Sequence, residues 1–358
     1  FSTRQGGSGT RSCEMSRLLL ERGHRVSMIC GAYESSDRRG EGVGRVSESE
    51  VDGIHVYTVN EPYANRMGFI ERGRAFFRFA GTAGRVAAGL DADLVFATST
   101  PLTVGIPGMK AARLLGVPFV FEVRDLWPDI PIAMGAIRNP LIKWYLRRLE
   151  RRIYFAAAHI IALSPGMKLG ICRTGYPEER VTMVPNACDL DLFRPELRAP
   201  LDARFGAPDD FRAIFTGAHG KANGLDAVLD AAVVLKRRGV RGVRLVFIGK
   251  GGEKPRLMQR AAEQGLGDVV TWLDAVPKQE LAAIVAGMDA GLMVLRNLPD
   301  FYYGTSPNKF FDYIAAGLPV LNNYPGWLAE LIAEHRCGIA IPPDDAEAFA
   351  DALLKLRD

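Results

Sequence analysis

"FRAIFTGAHGKANGLDAVLDAAVVLKRRGVRGVRLVFIG", residues 211–249, decides the fold. Two short runs rich in β-branched and aromatic residues, "FRAIFTG" (211–217) and "VRLVFIG" (243–249), bracket a helical pattern, and each ends in glycine. Strand, helix, strand in that order is the unit of a parallel sheet, because parallel neighbours need a crossover long enough to hold a helix. Downstream the alternation continues through "VVTWLD" (269–274), "AGLMVL" (290–295), "LPVLNN" (318–323) and "GIAIPP" (338–343). Upstream the strand candidates are "RVSMIC" (25–30), "GIHVYTV" (53–59), "ADLVFAT" (92–98), "VPFVFEV" (117–123) and "AHIIALS" (158–164). Between the two series, "DLFRPELRAPLDARFGAPDD" (191–210) is rich in Pro and Asp and lacks periodicity. The expected architecture is α/β: two Rossmann-like parallel-sheet domains, 1–193 and 211–358, with a linker over 194–210 and a ligand cleft between them. The chain opens on loop-like residues and stops inside a helical pattern, so a first strand and a last helix are expected to be missing from it.

Composition narrows the classes. The 358 residues are 48% hydrophobic and 24% charged, with a formal net charge of +4. That balance is too weak to argue nucleic-acid binding, but it leaves room for a local basic patch. The cysteines Cys13, Cys30, Cys172, Cys188 and Cys337 are scattered and form no C-x-x-C pair, which speaks against a disulfide framework or zinc site and for a reducing cytosol. No apolar run approaches the roughly 18 residues of a membrane span. A cytoplasmic protein is expected, with peripheral attachment to an inner membrane left open.

Three glycine-bearing loops attract attention. "GGSGTRSCEMSRLLLERGH" (6–24) runs into an amphipathic helix, with Thr10 or Ser12 able to cap its start and Gly7 and Gly9 able to let an anion approach the backbone. It matches neither the P-loop nor G-x-G-x-x-G. "FTGAHGKANGL" (215–225) and "FIGKGGEKPRL" (247–257) both follow strands, which places Gly217, His219, Gly220, Lys221, Gly249, Lys250 and Lys254 on one ligand edge, where the lysines can screen a diphosphate. Solvated lysines on ordinary βα turns are the plainer alternative.

In "TSPNKFFDYIAAGLPVL" (305–321), Ser306 and Pro307 suit an N-cap and a first helical position. Asn308 and Lys309 then fall in the first turn, where free N–H groups and the ammonium face a phosphate. Asp312 follows one turn later, where its carboxylate can accept from both hydroxyls of a ribose. "FEVRDLWPD" (121–129) places Arg124, Asp125 and Trp127 at a strand's carboxyl tip, suited to a sugar or to a structural ion pair. "NPLIKWYLRRLERRIYF" (139–155) reads as a helix with Ile142, Tyr145, Leu146, Leu149 and Ile153 on an apolar face and Lys143, Arg147, Arg148, Arg151 and Arg152 opposite, around Trp144. Such a helix can pack on a core or rest on anionic lipid. The triplets Asp91-Ala-Asp93 and Asp189-Leu-Asp191 are not expected to bind metal, and no H-E-x-x-H is present.

Taken in order, "GGSGTRSCEMSRLLLERGHRVSM", "VRDLWPD", "HIIALSPGM", "VPNACDLDLF", "FTGAHGKANGLDAVLDAA" and "PNKFFDYIAAGLPVL" resemble, nearly end to end, the GT-B glycosyltransferases of family 4, the bacterial exopolysaccharide and O-antigen type. The resemblance implies a retaining, metal-independent transfer of a sugar from a nucleotide-sugar, UDP-linked by resemblance, to an acceptor hydroxyl on a lipid-linked saccharide. No cofactor or metal is implied. The second domain would hold the nucleotide through Gly217, His219, Gly220, Lys221, Gly249, Lys250, Val276, Ser306, Asn308, Lys309 and Asp312, with Gly7, Gly9 and Thr10 of the first loop. Arg124, Lys250 and Lys309 would serve catalysis, and Arg11, Asp125 and Trp127 the acceptor. The family's E-x7-E motif places its second carboxylate on Asp312 and its first on Gly304, a departure. The family's diphosphate-binding Arg and Lys fall on Ala218 and Asn223, a second departure. Arg124 matches a family histidine; its guanidinium suits an electrostatic role, not a general base. The rival readings are a GT-B enzyme such as a UDP-sugar 2-epimerase and a non-catalytic sugar-nucleotide-binding protein. A Rossmann dehydrogenase is disfavoured for want of its glycine fingerprint.

Overall fold

The computed structural model describes residues 2–4, 6, 10–33, 45–63, 67–99 and 101–358. These fall into two compact units: Phe1–Pro185 with Gly304–Ser306, and Asn186–Tyr303 with Pro307–Asp358.

In the first unit, β1 (Ser27–Tyr33), β2 (Val46–Val51) and β3 (Ile54–Tyr63) form a sheet in the order β1-β3-β2, with β1 parallel and β2 antiparallel to β3. The strands β4 (Val95–Thr98), β5 (Phe119–Val123), β6 (His159–Ala162) and β7 (Val181–Met183) form a parallel sheet in chain order. β2 and β7 were not expected from sequence. β2, "VSESEV", alternates Ser and Glu with little to bury, as suits an edge strand that must not recruit another chain. Its turn is legible: Val51 pairs with Ile54 around Asp52-Gly53, both at positive φ (49° and 80°), the two-residue hairpin that Asp-Gly favours. The core of the β4–β7 sheet gathers Phe119, Phe121, Ile153, Tyr154, Ile160 and Met167.

In the second unit, β8 (Phe211–Thr216), β9 (Val243–Ile248), β10 (Val270–Leu273), β11 (Ala290–Met293), β12 (Val320–Asn322) and β13 (Gly338–Ala340) make one parallel sheet, ordered β10-β9-β8-β11-β12-β13. The chain adds strands outward from β8 to β10, then returns to lay β11 on the other side of β8. The gap beyond the carboxyl ends of β8 and β11 is therefore the topological switch point, where open α/β sheets take their ligands. Burial of Phe211, Phe215, Leu229, Leu235, Leu245, Phe247, Leu292 and Phe349 builds a core over one face.

The 194–210 stretch does not run free as a linker. Phe205 is buried, the Arg212 guanidinium donates to the carbonyls of Phe205, Ala207 and Pro208, and Arg198 pairs with Asp289 at 2.6 Å. A segment without periodicity is thus tied to the second unit by carbonyl-to-arginine bonds, which leave no hydrophobic pattern. Among the described residues, no helix is long and apolar enough to cross a membrane.

Candidate functional site

The second unit's switch point is built largely from backbone. Beyond β8 the chain turns at Gly217 (φ +122°), and beyond β9 at Gly249 (φ +150°). A Cβ on Gly249 would collide with the Gly217 carbonyl, and one on Gly251 with the main chain of His219. The loops are laced together: the His219 N–H donates to the Lys250 carbonyl at 2.8 Å, and the Glu253 N–H to the His219 carbonyl at 3.0 Å. Only glycine permits this approach.

The helix Asn308–Ala315 is locked against these loops. The Tyr313 hydroxyl accepts from the Thr216 N–H at 2.9 Å and lies 3.1 Å from Thr216 Oγ1, and the Tyr313 ring occupies the space a side chain on Gly291 would need. The helix starts one residue later than expected: Pro307, not Ser306, holds the extended cap position (φ −76°, ψ 128°). Proline fits there because the cap position needs no N–H donor, and proline has none. Ser306 is buried just upstream, and Asn308 opens the first turn.

Lys309 is the electrostatic anomaly. It is half-buried, with Nζ 3.7 Å from the centre of the Phe215 ring and 3.3 Å from Asn223 Oδ1, and its terminal atoms lie beside Gly217. Among the described residues no carboxylate pairs with it, and burial alone pushes its pKa down to about 7. Asn223, at the position of the family's lysine, also donates from Nδ2 to the Ala218 carbonyl at 2.6 Å. The residues at the two diphosphate-binding positions, Ala218 and Asn223, thus touch each other, and Asn223 also holds Lys309. One turn on, burial pushes the Asp312 carboxyl up to about 6; nearby Asp189 adds to the rise, while Lys278 and the Cys188 thiol oppose it.

Other expected contacts fare differently. The His219 ring is fully buried among Phe215, Phe247 and Trp272, and burial, then Lys254 and Lys309, hold its pKa down to about 4. It serves the loop through its main chain, and its ring is closed off from solvent. Lys254 is consumed by the carbonyls of Gly249 and Leu273 and by Asp274 (2.8 Å). Lys250 is exposed, and Val276 is half-buried in the loop after β10. Lys221 and Gly220 line a cavity of about 350 Å³ at the same switch point, together with Arg296, Asn297 and Asp344; Lys309 and Asp312 do not line it. Asp189 accepts from Lys278 at 2.6 Å, and Asp91 and Asp93 are exposed.

In the first unit, Gly7 and Gly9 lie outside the described residues. Thr10 stands at the N-cap of the helix Arg11–Glu21 without a side-chain cap bond. Arg11 is not presented to an acceptor. Its guanidinium binds Glu122 Oε1 (3.0 and 2.8 Å) and the carbonyls of Val184 and Pro185, while Thr98 donates to Glu122 Oε2 at 2.6 Å. Glu122, which sequence reasoning passed over inside "FVFEV", is the buried hub that takes Arg11 away. Trp127 is half-buried and packs against the β4–β7 core. Arg124 and Asp125 stand half-buried just beyond β5, with the Arg124 N–H donating to Ser99 Oγ at 3.0 Å. The helix Pro140–Ala156 buries Leu146, Leu149, Glu150, Ile153 and Tyr154, but Tyr145, expected inside, is 46% exposed. It joins Leu141 (74%) and Trp144 (64%) on the outer face.

Two parallel-sheet units with a ligand edge at the second unit's switch point define the GT-B class. Anabaena Alr3699/HepE, solved in complex with UDP and glucose, superposes with a TM-score of 0.66 at 16% identity, covering 99% of this chain and 88% of that one. Family models described as "Glycosyl transferase 4-like domain" and "Glycosyl transferases group 1" match residues 6–187 and 210–358. The chain belongs to this glycosyltransferase family. It is 27% identical over 266 residues to a D-inositol 3-phosphate glycosyltransferase of Paenarthrobacter aurescens, covering 71% of this chain and 62% of the relative. It is 26% identical over 302 residues to a GDP-mannose-dependent alpha-mannosyltransferase of Mycobacterium tuberculosis, covering 83% and 71%. The match thus spans about three fifths of the length of the first of these.

Proposed function

We propose that the protein is a retaining, metal-independent glycosyltransferase that moves a sugar from a UDP-linked donor to a hydroxyl of a lipid-linked saccharide. Lys309 carries the reading: a half-buried ammonium that pairs with no carboxylate among the described residues, in the first turn of a helix, is poised for an anion. A donor's diphosphate gains negative charge as the bond to the sugar breaks, and donors fixed before that moment stabilise the transition state without reorganising. Lys309 and the first-turn N–H groups of Asn308 and Lys309 fill that role, with Lys250 at the rim. Asp312 then lies one turn on for the ribose hydroxyls, and Val276 in the β10 loop for the base. Family membership and a relative solved with UDP support the donor class. Charge neutralisation by Lys309 and a helix terminus supports independence from metal, as does the commitment of Asp189 to Lys278. The leaving phosphate would itself take the acceptor's proton on the face where the sugar departs; trapping a covalent glycosyl-enzyme would refute this.

The outer face of the helix Pro140–Ala156, with Leu141, Trp144 and Tyr145 beside Arg147, Arg148, Arg151 and Arg152, supports peripheral binding to an anionic membrane, where a lipid-linked acceptor resides. Trp144→Ala with Arg148→Glu is expected to abolish flotation with phosphatidylglycerol vesicles.

The deciding experiment incubates the protein with UDP- and GDP-sugars and bacterial membrane extract. Release of UDP in step with a glycosylated lipid is expected. An epimerised donor without transfer would favour the epimerase reading, and tight binding without turnover a sensor.

A further inference from the structure

Asn223 ends the short turn Lys221–Asn223 in the loop after β8, where the main chain has little freedom. Its own N–H donates to the Gly220 carbonyl at 3.1 Å. On one side the Arg296 N–H donates to the Ala222 carbonyl at 2.9 Å, and on the other Gly224 takes a left-handed φ of +55°. A Cβ on Gly224 would lie 2.8 Å from the Arg296 main chain. From this anchored position the half-buried side chain spans two partners. Nδ2 donates to the Ala218 carbonyl at 2.6 Å, and Oδ1 accepts from Lys309 Nζ at 3.3 Å. A carbonyl only accepts and an ammonium only donates, so one orientation of the amide satisfies both. A flipped amide would set oxygen against oxygen and an NH2 group against the ammonium. Lys309 Nζ also rests 3.7 Å from the centre of the Phe215 ring.

We propose that Asn223 is a positioning residue for the donor's diphosphate: its amide oxygen holds the Lys309 ammonium in place for the anion without cancelling its charge. The proposal rests on the donor reading above and names a residue that reading does not use. An ammonium on a flexible four-carbon stem turns its head to water unless something holds it. A carboxylate at 223 would hold it too, but would neutralise it and compete with the incoming phosphate. The amide oxygen is uncharged, so the ammonium keeps its full charge for the ligand. The amide also keeps its bond to Ala218, which an ionised carboxylate has no proton to make. Leucine offers neither end, and aspartate only the accepting one.

The test compares Asn223→Leu and Asn223→Asp in the whole chain, with UDP as the probe in calorimetry, and repeats the leucine change in a Lys309→Met background. Asn223→Leu is expected to weaken UDP binding about five-fold, the worth of one hydrogen bond, and to add nothing once Lys309 is methionine. Asn223→Asp is expected to weaken it roughly thirty-fold, because the new carboxylate pairs with the ammonium and repels the diphosphate. Equal losses from leucine in both backgrounds would reduce Asn223 to a loop residue acting through Ala218 alone. Wild-type affinity in Asn223→Asp would overturn the role even if the leucine variant failed to fold. A second readout needs no nucleotide: NMR of the Lys309 Cε protons, assigned by their disappearance in Lys309→Met. Seated over the Phe215 ring, they should resonate upfield of those of exposed Lys221. Asn223→Leu should return them toward the exposed position, and Asn223→Asp, which keeps an acceptor, should leave them upfield. An upfield shift that survives Asn223→Leu would overturn the positioning role whether or not nucleotide binds. Failure of the wild type to bind UDP, with the shifts moving as expected, would sink the donor reading and the role in phosphate binding while leaving the tether itself demonstrated.

Discussion

The two units treat buried charge in opposite ways. In the first, Arg11 and Glu122 satisfy each other, and Thr98 and two carbonyls take up what remains. In the second, Lys309 meets an aromatic face and an amide oxygen but, among the described residues, no carboxylate. A fully partnered buried charge is architecture. A charge buried without its counterion costs stability, and such a cost persists where a ligand supplies what is missing. Arg11 and Lys309 look alike as cations near glycine-rich loops; their partners tell them apart.

The sharpest way to break this contrast is Lys309→Met. Loss of the ammonium is expected to lower kcat/KM by about 10²–10³ while raising the second unit's melting temperature by about 2–4 °C, the shift roughly 1 kcal/mol gives a domain of this size. Calorimetry with donor kinetics checks both, and a variant that is active, or less stable, would erase the distinction. Glu122→Ala probes the other unit. Leaving Arg11 without its carboxylate should destabilise the first unit by about 3 kcal/mol in urea unfolding, while UDP affinity stays at wild type. If UDP affinity falls instead, the Arg11 network belongs to the donor site after all.

A subtler effect concerns pH. Burial raises Asp312 to about 6 and lowers Lys309 to about 7. The carboxylate form is lost as pH falls through about 6, and the ammonium form as pH rises through about 7. kcat/KM, which reports the free enzyme, should therefore follow a narrow bell with limbs near those values. Asp312→Asn should remove the acid limb and cost about ten-fold in KM, the worth of a hydrogen bond to a charged acceptor. For stability the sign differs: Lys309 binds its proton more weakly folded than unfolded, so its contribution improves as pH climbs from about 7 toward its unfolded value. The smallest change is expected for Lys250→Ala, about three-fold in donor KM, because its exposed charge is screened by salt; a larger loss would shift the phosphate toward the β9 loop.

Much of this was legible. The βαβ pattern placed β8, β9 and their glycines to within a residue, because glycine after a parallel strand marks both the turn and the close approach that follows. Lys309 and Asp312 were legible as polar interruptions of an apolar helix. What sequence could not show is which cations already have partners. Arg11 and Lys254 carry the same charge as Lys309, and only coordinates reveal Glu122, Asp274 and the carbonyls that claim them. The face of the helix Pro140–Ala156 was misjudged at Tyr145 for a related reason: an aromatic ring with a polar tip suits either side. β2 escaped because its alternation is of Ser and Glu, although "VDGI" marked the turn.

The interlocked glycines at 217, 249 and 251 bear on protein redesign. Where main chain touches main chain there is no side chain to exchange, so diversity introduced at those positions would break the floor instead of reshaping it. On the proposed reading, a library meant to change which base is accepted belongs in the β10 loop, where Val276 is half-buried and its neighbours Asp274, Ala275 and Pro277 are exposed.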